Sequence, residues 1–391
     1  MNNAALRPVL LELVGTACSP DTSALDASDW VKLDYMAAQH RLQPLLHIQH
    51  RNNSAVPPAV ASTWRAAHRV AAIAALAQTA DLRATVHILE AAGFAPIALK
   101  GAWLAHRAYP EAAQRPARDI DLLLDPPTVL AAFELLQTHS FALEGPPEMA
   151  LADILRLDKH MPPLIAPNGT RIELHQRLWE HDGRLDHTSP AARDAELRQR
   201  AVREVDGILY PAGEDMLIHL IVHAAYSHRL DCGPLLLADI DFLLRQITID
   251  WAQFWNRSEQ EGWQRGARLV LELVKQFRTH TAIDLSADRG PAPAPELLAA
   301  APDLLLQELE TRQSAGFAAA TVLRGPAGFV ARLTGKRSTH DGGTATRDMA
   351  SPGGFLGWAR SRFARTVSDL AQEDVRRQSR NLARISQWLD Q

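Results

Sequence analysis

The sequence predicts an α+β fold in which a small β-sheet lies between an N-terminal and a C-terminal helical region. Strand-like runs occur in the middle of the chain, at residues 96–99, 119–122, 161–166, 170–175 and 205–210. Apolar residues at helical spacing dominate before residue 92 and after residue 211. These observations divide the chain into an N-terminal helical region (1–92), a sheet-containing region (93–210), a helical domain (211–290), and a linker with a basic C-terminal helical region (291–391).

The composition is that of an ordinary soluble protein with a large core. Of its 391 residues 47% are hydrophobic, and a chain of this size is expected to form two or three domains. We find no apolar run of about 18 residues and no signal peptide, which predicts a cytoplasmic protein without a membrane span. Cys18 and Cys232 form no CxxC pair, and we interpret both as free thiols.

Residues 1–92 are predicted to form helices. Asp26 and Asp29 provide N-caps for a helix that begins near Trp30. A Pro-Pro pair at residues 57–58 interrupts the helical pattern, and Gly93 is expected to end the long helix that follows as its C′ residue. The apolar side of that Ala-rich helix, over residues 59–92, is formed by Leu76, Leu82, Val86 and Leu89.

Residues 97–124 form the stretch around which the chain is organised. Their sequence, IALKGAWLAHRAYPEAAQRPARDIDLLL, predicts a strand, a turn, a helix, a loop and a second strand. Asp119 and Asp121 are two residues apart on the second strand, so their side chains point to the same face. Two such carboxylates can share a divalent cation such as Mg²⁺. The alternative is that both face water on a half-exposed strand.

The turn between the first strand and the helix has the features of a phosphate site. Gly101 precedes the helix, where free backbone N–H groups and the positive end of the helix dipole favour an anion. Lys100, Arg115 and Arg118 place cations at both ends of the stretch. A metal pair, backbone amides and flanking cations are what phosphoryl or nucleotidyl transfer requires.

A β-hairpin is predicted further along the chain, where Asn168-Gly169 separates two alternating runs. On its second strand Glu173 and His175 share one face. Glu173 is a candidate third carboxylate, and His175 is expected to support the site without binding the metal directly. The alternative is that Glu173 forms an ion pair with Arg171 or Arg177 on the sheet surface.

The remaining segments carry fewer functional signals. Charged residues 180–204 predict an excursion or a helix outside the core, and the helix after Pro211 carries His219, His223 and His228. Two histidines four residues apart could bind zinc, but no third ligand stands at a usual spacing, and helix packing is the favoured interpretation. Residues 291–295 predict a stiff linker, residues 325–354 a mobile loop, and residues 355–389 an amphipathic helix or helix pair.

Charge is distributed unevenly along the chain. Residues 321–391 carry 12 Lys or Arg and 6 acids, a net charge of +6, whereas residues 1–320 carry −10. A basic region of this kind indicates either an anionic partner such as a nucleic acid or docking on the acidic body of the same chain.

The central stretch resembles a known fold. A Lys-Gly turn, a helix carrying Tyr109, Arg115 four residues before the first Asp, and Asp-Ile-Asp on a strand resemble the nucleotidyltransferase fold of the DNA polymerase β superfamily. Over residues 25–280 the chain is most similar to the uncharacterised nucleotidyltransferase family of bacteria, with a more distant likeness to abortive-infection nucleotidyltransferase toxins. His40, His223 and Asp239 also match residues of that family, although at the turn Ala102 and Trp103 follow Gly101 where many relatives have Gly-Gly or Gly-Ser.

This resemblance implies a small mixed β-sheet palm flanked by helical domains, and a reaction. A nucleoside monophosphate would move from a nucleoside triphosphate bound with Mg²⁺ or Mn²⁺ to a hydroxyl acceptor, with release of pyrophosphate. The implied metal-binding and catalytic residues are Asp119, Asp121 and Glu173, and the implied triphosphate-binding or loop-holding residues are Lys100, Gly101, Arg115 and Arg118.

The sequence does not identify the acceptor, which is a protein, a peptide, RNA or a small molecule. Two alternatives from other classes remain, a tailoring enzyme for a peptide or small natural product and a catalytically inactive nucleotide-binding module. The carboxylates at Asp119 and Asp121 count against an inactive module, and Ala102 and Trp103 count for it.

Overall fold

The computed structural model describes residues 1–15, 22–146, 150–178, 190–335 and 354–391. Within them helices surround one mixed seven-stranded β-sheet, which confirms the predicted α+β class. The strands are β1 (Ile97–Ala98), β2 (Asp119–Leu123), β3 (Ala142–Leu143), β4 (Leu164–Ile165), β5 (Arg171–His175), β6 (Val202–Arg203) and β7 (Leu209–Tyr210).

The helices of the first half are α1 (Asn3–Val14), α2 (Ala27–Gln39), α3 (Gln43–His50), α4 (Pro58–Ala91), α5 (Gly101–Trp103), α6 (Val129–Thr138), α7 (Leu151–Leu157) and α8 (Pro190–Arg200). Those of the second half are α9 (Gly213–Val222), α10 (Leu235–Leu244), α11 (Trp251–Gln260), α12 (Gln264–Phe277), α13 (Pro295–Leu305), α14 (Arg312–Gly335), α15 (Gly354–Asp369) and α16 (Glu373–Leu389). α5 continues as a π-helical turn (Leu104–Ala108), and a second π-helical turn (His223–Ser227) follows α9. None of the helices in the described ranges combines the length and apolar character needed to span a bilayer.

The N-terminal helices form for the reasons that the sequence suggested. Asp26 caps α2 in a capping box, in which its side chain accepts from Asp29 N and the Asp29 side chain accepts from Asp26 N. α4 runs for 34 residues and is followed by Gly93 at φ +87°, as expected of a C′ glycine. Leu76, however, is 73% exposed and not part of the buried side of α4, although Trp64 before it and Leu82, Val86 and Leu89 after it are buried.

The sheet has the strand order β3-β4-β5-β2-β1-β7-β6. At its centre β2 and β5 pair in parallel, with Asp121 opposite Glu173. β1 is antiparallel to β2 and parallel to β7. Ile120 and Ile172 belong to one buried apolar cluster that also includes residues of the N-terminal and C-terminal helices. Because side chains alternate along a strand, the opposite face of β2 and β5 carries the acidic residues.

The predicted hairpin is confirmed as the antiparallel pair β4 and β5. Gly169 takes φ +88° in its turn, a conformation that glycine adopts without steric cost. Buried Asp81 of α4 holds this turn, since its carboxylate accepts hydrogen bonds from the side chain of Asn168 (2.9 Å) and from the backbone N–H groups of Asn168 and Thr170 (3.3 Å each). The hairpin that carries Glu173 is thus anchored to the long helix.

Two predictions between the hairpin and α9 need correction. Residues 205–210 are not one strand: β6 and β7 form a hairpin around Asp206, whose side chain accepts from Ile208 N, and Gly207 at φ +81° ends the extended conformation. The predicted excursion at residues 180–204 includes α8, which packs against the core. Leu197 is 1% exposed, and the Asp194 carboxylate accepts from Leu178 N at 3.1 Å. Residues 179–189 lie outside the described ranges.

The predicted loop at residues 325–354 is wrong over its first part. Residues 325–335 belong to α14, which is kinked at Gly325 (φ +61°) and resumes at Pro326, a residue tolerated in the first turn of a helix. Residues 336–353 lie outside the described ranges. The helix pair predicted over residues 355–389 is confirmed as α15 and α16. α13 begins at Pro295, the last residue of the predicted linker at 291–295.

The two cysteines differ in what the structure describes. Cys232 is a free thiol, as predicted, and burial raises its pKa to about 12. Cys18 lies outside the described ranges. The Cys232 thiol is therefore protonated at neutral pH and is not a reactive nucleophile.

A buried ion cluster joins the two ends of the chain. Arg7 of α1 is fully buried and pairs with Asp303 (2.7 Å) and Asp374 (2.5 Å). Arg377 also pairs with Asp303, at 2.7 Å. Part of the basic C-terminal region therefore docks on acids of its own chain, the second of the two interpretations that its charge allowed.

Candidate functional site

The parallel pairing of β2 and β5 brings the acidic residues together. Asp121 lies directly opposite Glu173, and Leu123 lies opposite His175. Because side chains alternate along a strand, Asp119, Asp121, Glu173 and His175 project from the same face of the sheet. The sequence separation between the two strands is bridged by α6 and the β3–β4 segment, which return the chain to the edge of β2.

Asp121, Glu173 and His175 form a compact donor group. One ligand atom from each lies within 4.8 Å of the other two, and among the described residues no other His, Cys, Asp and Glu group of three or more meets this spacing. His175 Nε2 lies 3.1 Å from Asp121 Oδ1 and 3.7 Å from Glu173 Oε2. The Asp121 side chain is 11% exposed, and those of Glu173 and His175 are 4% exposed. Asp119, which the resemblance implies as a metal ligand, lies outside this group, and His175, which was expected to support the site without binding the metal, lies within it.

The charges of the group are strongly interdependent. Burial and the neighbouring Asp121 carboxylate raise the pKa of Asp119 to about 6. Burial also acts to raise the pKa of Asp121, but Lys100 and His175 outweigh it and hold that pKa well below its usual value. For His175, burial lowers the pKa and the Asp121 carboxylate more than compensates, so the imidazole pKa is raised. Burial opposes ionisation of Glu173, yet its interaction with His175 leaves its pKa lowered.

Two cations stand beside the carboxylates. Lys100 Nζ lies 3.6 Å from Asp121 Oδ2, and Arg171 Nη2 lies 3.0 Å from Glu173 Oε1. The Glu173–Arg171 pair that the sequence offered as an alternative thus exists, but it is not on an exposed sheet surface, because the Glu173 side chain is almost completely buried. Arg171 also forms an ion pair with Glu144, whose side chain is 46% exposed.

Two polar atoms of the group are left without hydrogen-bond partners among the described residues. They are Glu173 Oε2 and His175 Nδ1, both buried. Buried polar atoms normally have partners, so each unsatisfied one requires an explanation. A divalent cation fits here, because it would accept the free lone pair of Glu173 and because carboxylate oxygens suit Mg²⁺ and Mn²⁺ while imidazole is a common ligand of transition metals.

The turn after β1 is held tightly against β2. Leu99 N donates to Asp121 O at 2.9 Å, and Lys100 takes the rare backbone angle φ +33°. Gly101 is required by a close approach, since a Cβ at this position would lie 2.8 Å from Arg115 Nη1. The turn therefore places Lys100 next to the carboxylates and leaves Gly101 beneath a guanidinium group.

Arg115 makes a buried connection to the helical domain. Its Nε and Nη2 donate to the two oxygens of Asp239, each at 2.8 Å, and the Tyr109 hydroxyl donates to Asp239 Oδ1 at 2.8 Å. Of the two roles that the sequence allowed for Arg115, binding the triphosphate or holding the loop, this geometry describes the second. Arg118 is exposed and has no ion pair among the described residues.

Comparison with known proteins identifies the family. The sequence model of the uncharacterised nucleotidyltransferase family matches residues 26–279, well over half of the chain. The chain belongs to this family. No curated protein and no solved structure matches the chain. Family membership agrees with the resemblance over residues 25–280 and supports nucleotidyl transfer in general, hence a transferase that acts on a nucleotide.

The histidines of α9 and of the π-helical turn after it lie apart from the compact donor group. His219 and His223 are absent from the compact donor group, which is limited to Asp121, Glu173 and His175 in the described part of the chain. Burial and the nearby Lys100 hold the pKa of both His219 and His223 well below the usual value, so the rings are neutral. Their burial near Lys100 agrees with the packing interpretation.

Two site neighbours escaped the sequence argument. His160 precedes β4, and its Nε2 lies 3.9 Å from Glu173 Oε2. Arg41 lies between α2 and α3, and its Nη1 donates to Pro116 O at 3.2 Å, next to Arg115. Neither belongs to a motif or a periodic pattern. The only sequence signal for Arg41 is that a charged residue stands shortly after the end of α2.

Proposed function

We propose that the protein transfers a nucleoside monophosphate from a Mg²⁺- or Mn²⁺-bound nucleoside triphosphate to a hydroxyl acceptor, with release of pyrophosphate. The observation that carries this proposal is the side-by-side placement of Asp121 and Glu173 on neighbouring parallel strands, with Lys100 at 3.6 Å. Nucleotidyl transfer depends mainly on positioning and charge neutralisation, and this group supplies both. The mixed sheet also supports placement in the polymerase β superfamily, with residues 93–210 as its palm.

In this proposal Asp119, Asp121 and Glu173 hold the metal. When bound, the metal would lower the pKa of the acceptor hydroxyl and neutralise the charge that grows on pyrophosphate. His175 positions Asp121 through the 3.1 Å contact. Its raised pKa favours a protonated imidazole between the Asp121 and Glu173 carboxylates when no metal ion is bound. Arg171 orients the Glu173 carboxylate through the 3.0 Å ion pair.

The turn residues act on the triphosphate. Lys100 lies at the edge of the carboxylate group, where its ammonium can contact an oxygen of the transferred phosphate. Gly101 keeps the turn free of a side chain, and Arg115 fixes the turn through its pair with Asp239. Arg118 adds an exposed positive charge beside Asp119.

The test is pyrophosphate release by the purified protein, with each of the four nucleoside triphosphates and Mg²⁺ or Mn²⁺, over a panel of acceptors. Glu173→Gln is expected to lower turnover at least about 100-fold, equivalent to roughly 3 kcal/mol of transition-state stabilisation, with little change in melting temperature. Glu144→Gln is a matched control because Glu144 pairs with the same Arg171 but is exposed, and it should retain turnover.

Two results would contradict the proposal. One is a wild-type protein that binds a triphosphate but releases no pyrophosphate with any acceptor, as an inactive binding module would. The other is equal release by the Glu173→Gln and Glu144→Gln variants, which would make Glu173 a structural ion-pair partner only.

A further inference from the structure

The connection between α2 and α3 brings an additional arginine to the edge of the site. Arg41 is held there by the hydrogen bond from its Nη1 to Pro116 O, at 3.2 Å. Its backbone takes φ +56°, a region that non-glycine residues seldom adopt because Cβ crowds the carbonyl oxygen. The N-terminal helical region thus delivers a guanidinium group to the loop that leads into Asp119.

This arginine lies in an excess of positive charge. Burial, followed by repulsion from Arg118 and Arg115, lowers the pKa of Arg41 to about 10, and Asp119 and Asp239 offset this only in part. The neighbouring His40 has its pKa lowered to about 4, first by burial and further by the surrounding arginines, so its ring adds no charge at neutral pH. Around Arg41 the positive charge of Arg115 and Arg118 is thus only partly offset by Asp119 and Asp239.

Two guanidinium groups of this cluster have no carboxylate partner within the described ranges. Arg115 is occupied by Asp239 through two hydrogen bonds. Arg41 has no carboxylate partner within the described ranges, and its buried Nε has no hydrogen-bond partner there. Arg118 is exposed and unpaired in the same ranges. A buried guanidinium N–H without a partner is costly, and an oxyanion would satisfy it.

We propose that Arg41 and Arg118 form an anion subsite for the terminal phosphates of the nucleoside triphosphate. This inference rests on the proposed function and assigns to its substrate a residue of the N-terminal helical region. Guanidinium groups bind phosphate oxygens with paired hydrogen bonds, and two of them near Asp119 would be able to hold the phosphates beyond the transferred group. Because Arg41 is partly buried, a compact terminal phosphate reaches it more readily than a continuous nucleic-acid backbone does.

The subsite would make the protein bind the terminal phosphates of a nucleoside triphosphate, so a ligand that consists of phosphates alone tests it. The probe is inorganic tripolyphosphate, titrated calorimetrically at fixed Mg²⁺ concentration into full-length wild-type, Arg41→Gln and Arg118→Gln proteins. Each substitution is expected to weaken tripolyphosphate binding about tenfold or more, the size of a lost charge-assisted hydrogen bond. Arg51→Gln is the control, because Arg51 is exposed at the far end of α3, about 12 Å further along that helix, and should change nothing.

Melting curves accompany each titration, and Arg118→Gln keeps the test decisive if Arg41→Gln fails to fold, since Arg118 is exposed. Unchanged tripolyphosphate affinity in folded variants overturns the inference, as does a wild-type protein that does not bind tripolyphosphate. A single-stranded RNA oligonucleotide is titrated in parallel, and loss of RNA binding alone would assign the arginines to an acceptor and also overturn the inference. Pyrophosphate release by the wild type is measured separately, so failure of the subsite and failure of the proposed reaction are distinguishable.

Discussion

Substitution of Asp239 by asparagine tests the connection between the phosphate turn and the helical domain. The Asp239 carboxylate accepts three hydrogen bonds at 2.8 Å, two from Arg115 and one from Tyr109, and the residue is 3% exposed. The asparagine side chain would keep the shape, but its NH₂ group would face a donor of Arg115 and leave a buried cation unpaired. Breaking a buried pair from one side costs about 3–5 kcal/mol of unfolding free energy.

The assay is urea unfolding of three variants under identical conditions. Asp239→Asn is expected to lose about 3–5 kcal/mol. Tyr109→Phe removes one hydrogen bond to the same carboxylate and should lose about 1–3 kcal/mol. Asp125→Asn is the control for an exposed ion pair, since the Asp125 side chain is 64% exposed and pairs with Arg198 at 3.2 Å, and it should lose less than about 1 kcal/mol.

The same substitution has a functional consequence. Arg115 Nη1 lies over Gly101, so a guanidinium released from Asp239 no longer fixes the turn beside Lys100. We expect folded Asp239→Asn protein to bind nucleoside triphosphates more weakly than Tyr109→Phe protein does. A loss of stability below about 1 kcal/mol, or equal losses for Asp239→Asn and Tyr109→Phe, would refute the reasoning, because either result means that the Arg115 pair carries no free energy.

Three further predictions concern single side chains. Gly101→Ala should reduce thermal stability by about 1–3 kcal/mol and weaken triphosphate binding, because its Cβ would lie 2.8 Å from a restrained Arg115; a calorimetric titration identical to wild type would contradict this. Asp81→Ala should cost about 2–4 kcal/mol in urea unfolding, since it leaves three hydrogen-bond donors of the hairpin turn unpaired. Asp194, whose pKa burial raises to about 6, destabilises the fold when it ionises. Asp194→Asn should therefore become more stable than wild type by about 1–3 kcal/mol as pH rises from about 4 to 7, with no gain below about pH 4; unfolding curves at several pH values decide it.

The local features of the site could be predicted from sequence because they depend on short-range geometry. Alternation along β2 places Asp119 and Asp121 on one face, and Asn168-Gly169 defines the hairpin that carries Glu173. The same kind of periodicity, at helical spacing, located the helices at both ends of the chain.

The remaining features depend on contacts between distant segments. Asp239 matches a residue of the family, but nothing local indicates that it holds both Tyr109 and Arg115, which lie 130 and 124 residues earlier. Arg41 lies in no motif, and its proximity to Asp119 results from how the helical region packs on the sheet. The error at residues 325–335 has a local cause, since Gly325 and Pro326 indicate a loop but act here as a kink and a helix start.

The burial of Arg7 has a consequence for biosynthesis. Its partners Asp303 and Asp374 lie 296 and 367 residues later in the chain. At the usual elongation rate of about 5–20 residues per second, the second partner leaves the ribosome roughly 20–70 s after Arg7 does. Until these carboxylates have been synthesised, docking of α1 would bury the Arg7 guanidinium without its partners, so this helix is expected to reach its final position late. The carboxylate strands are synthesised well within this period, and the sheet can therefore form before the helix that begins the chain is docked.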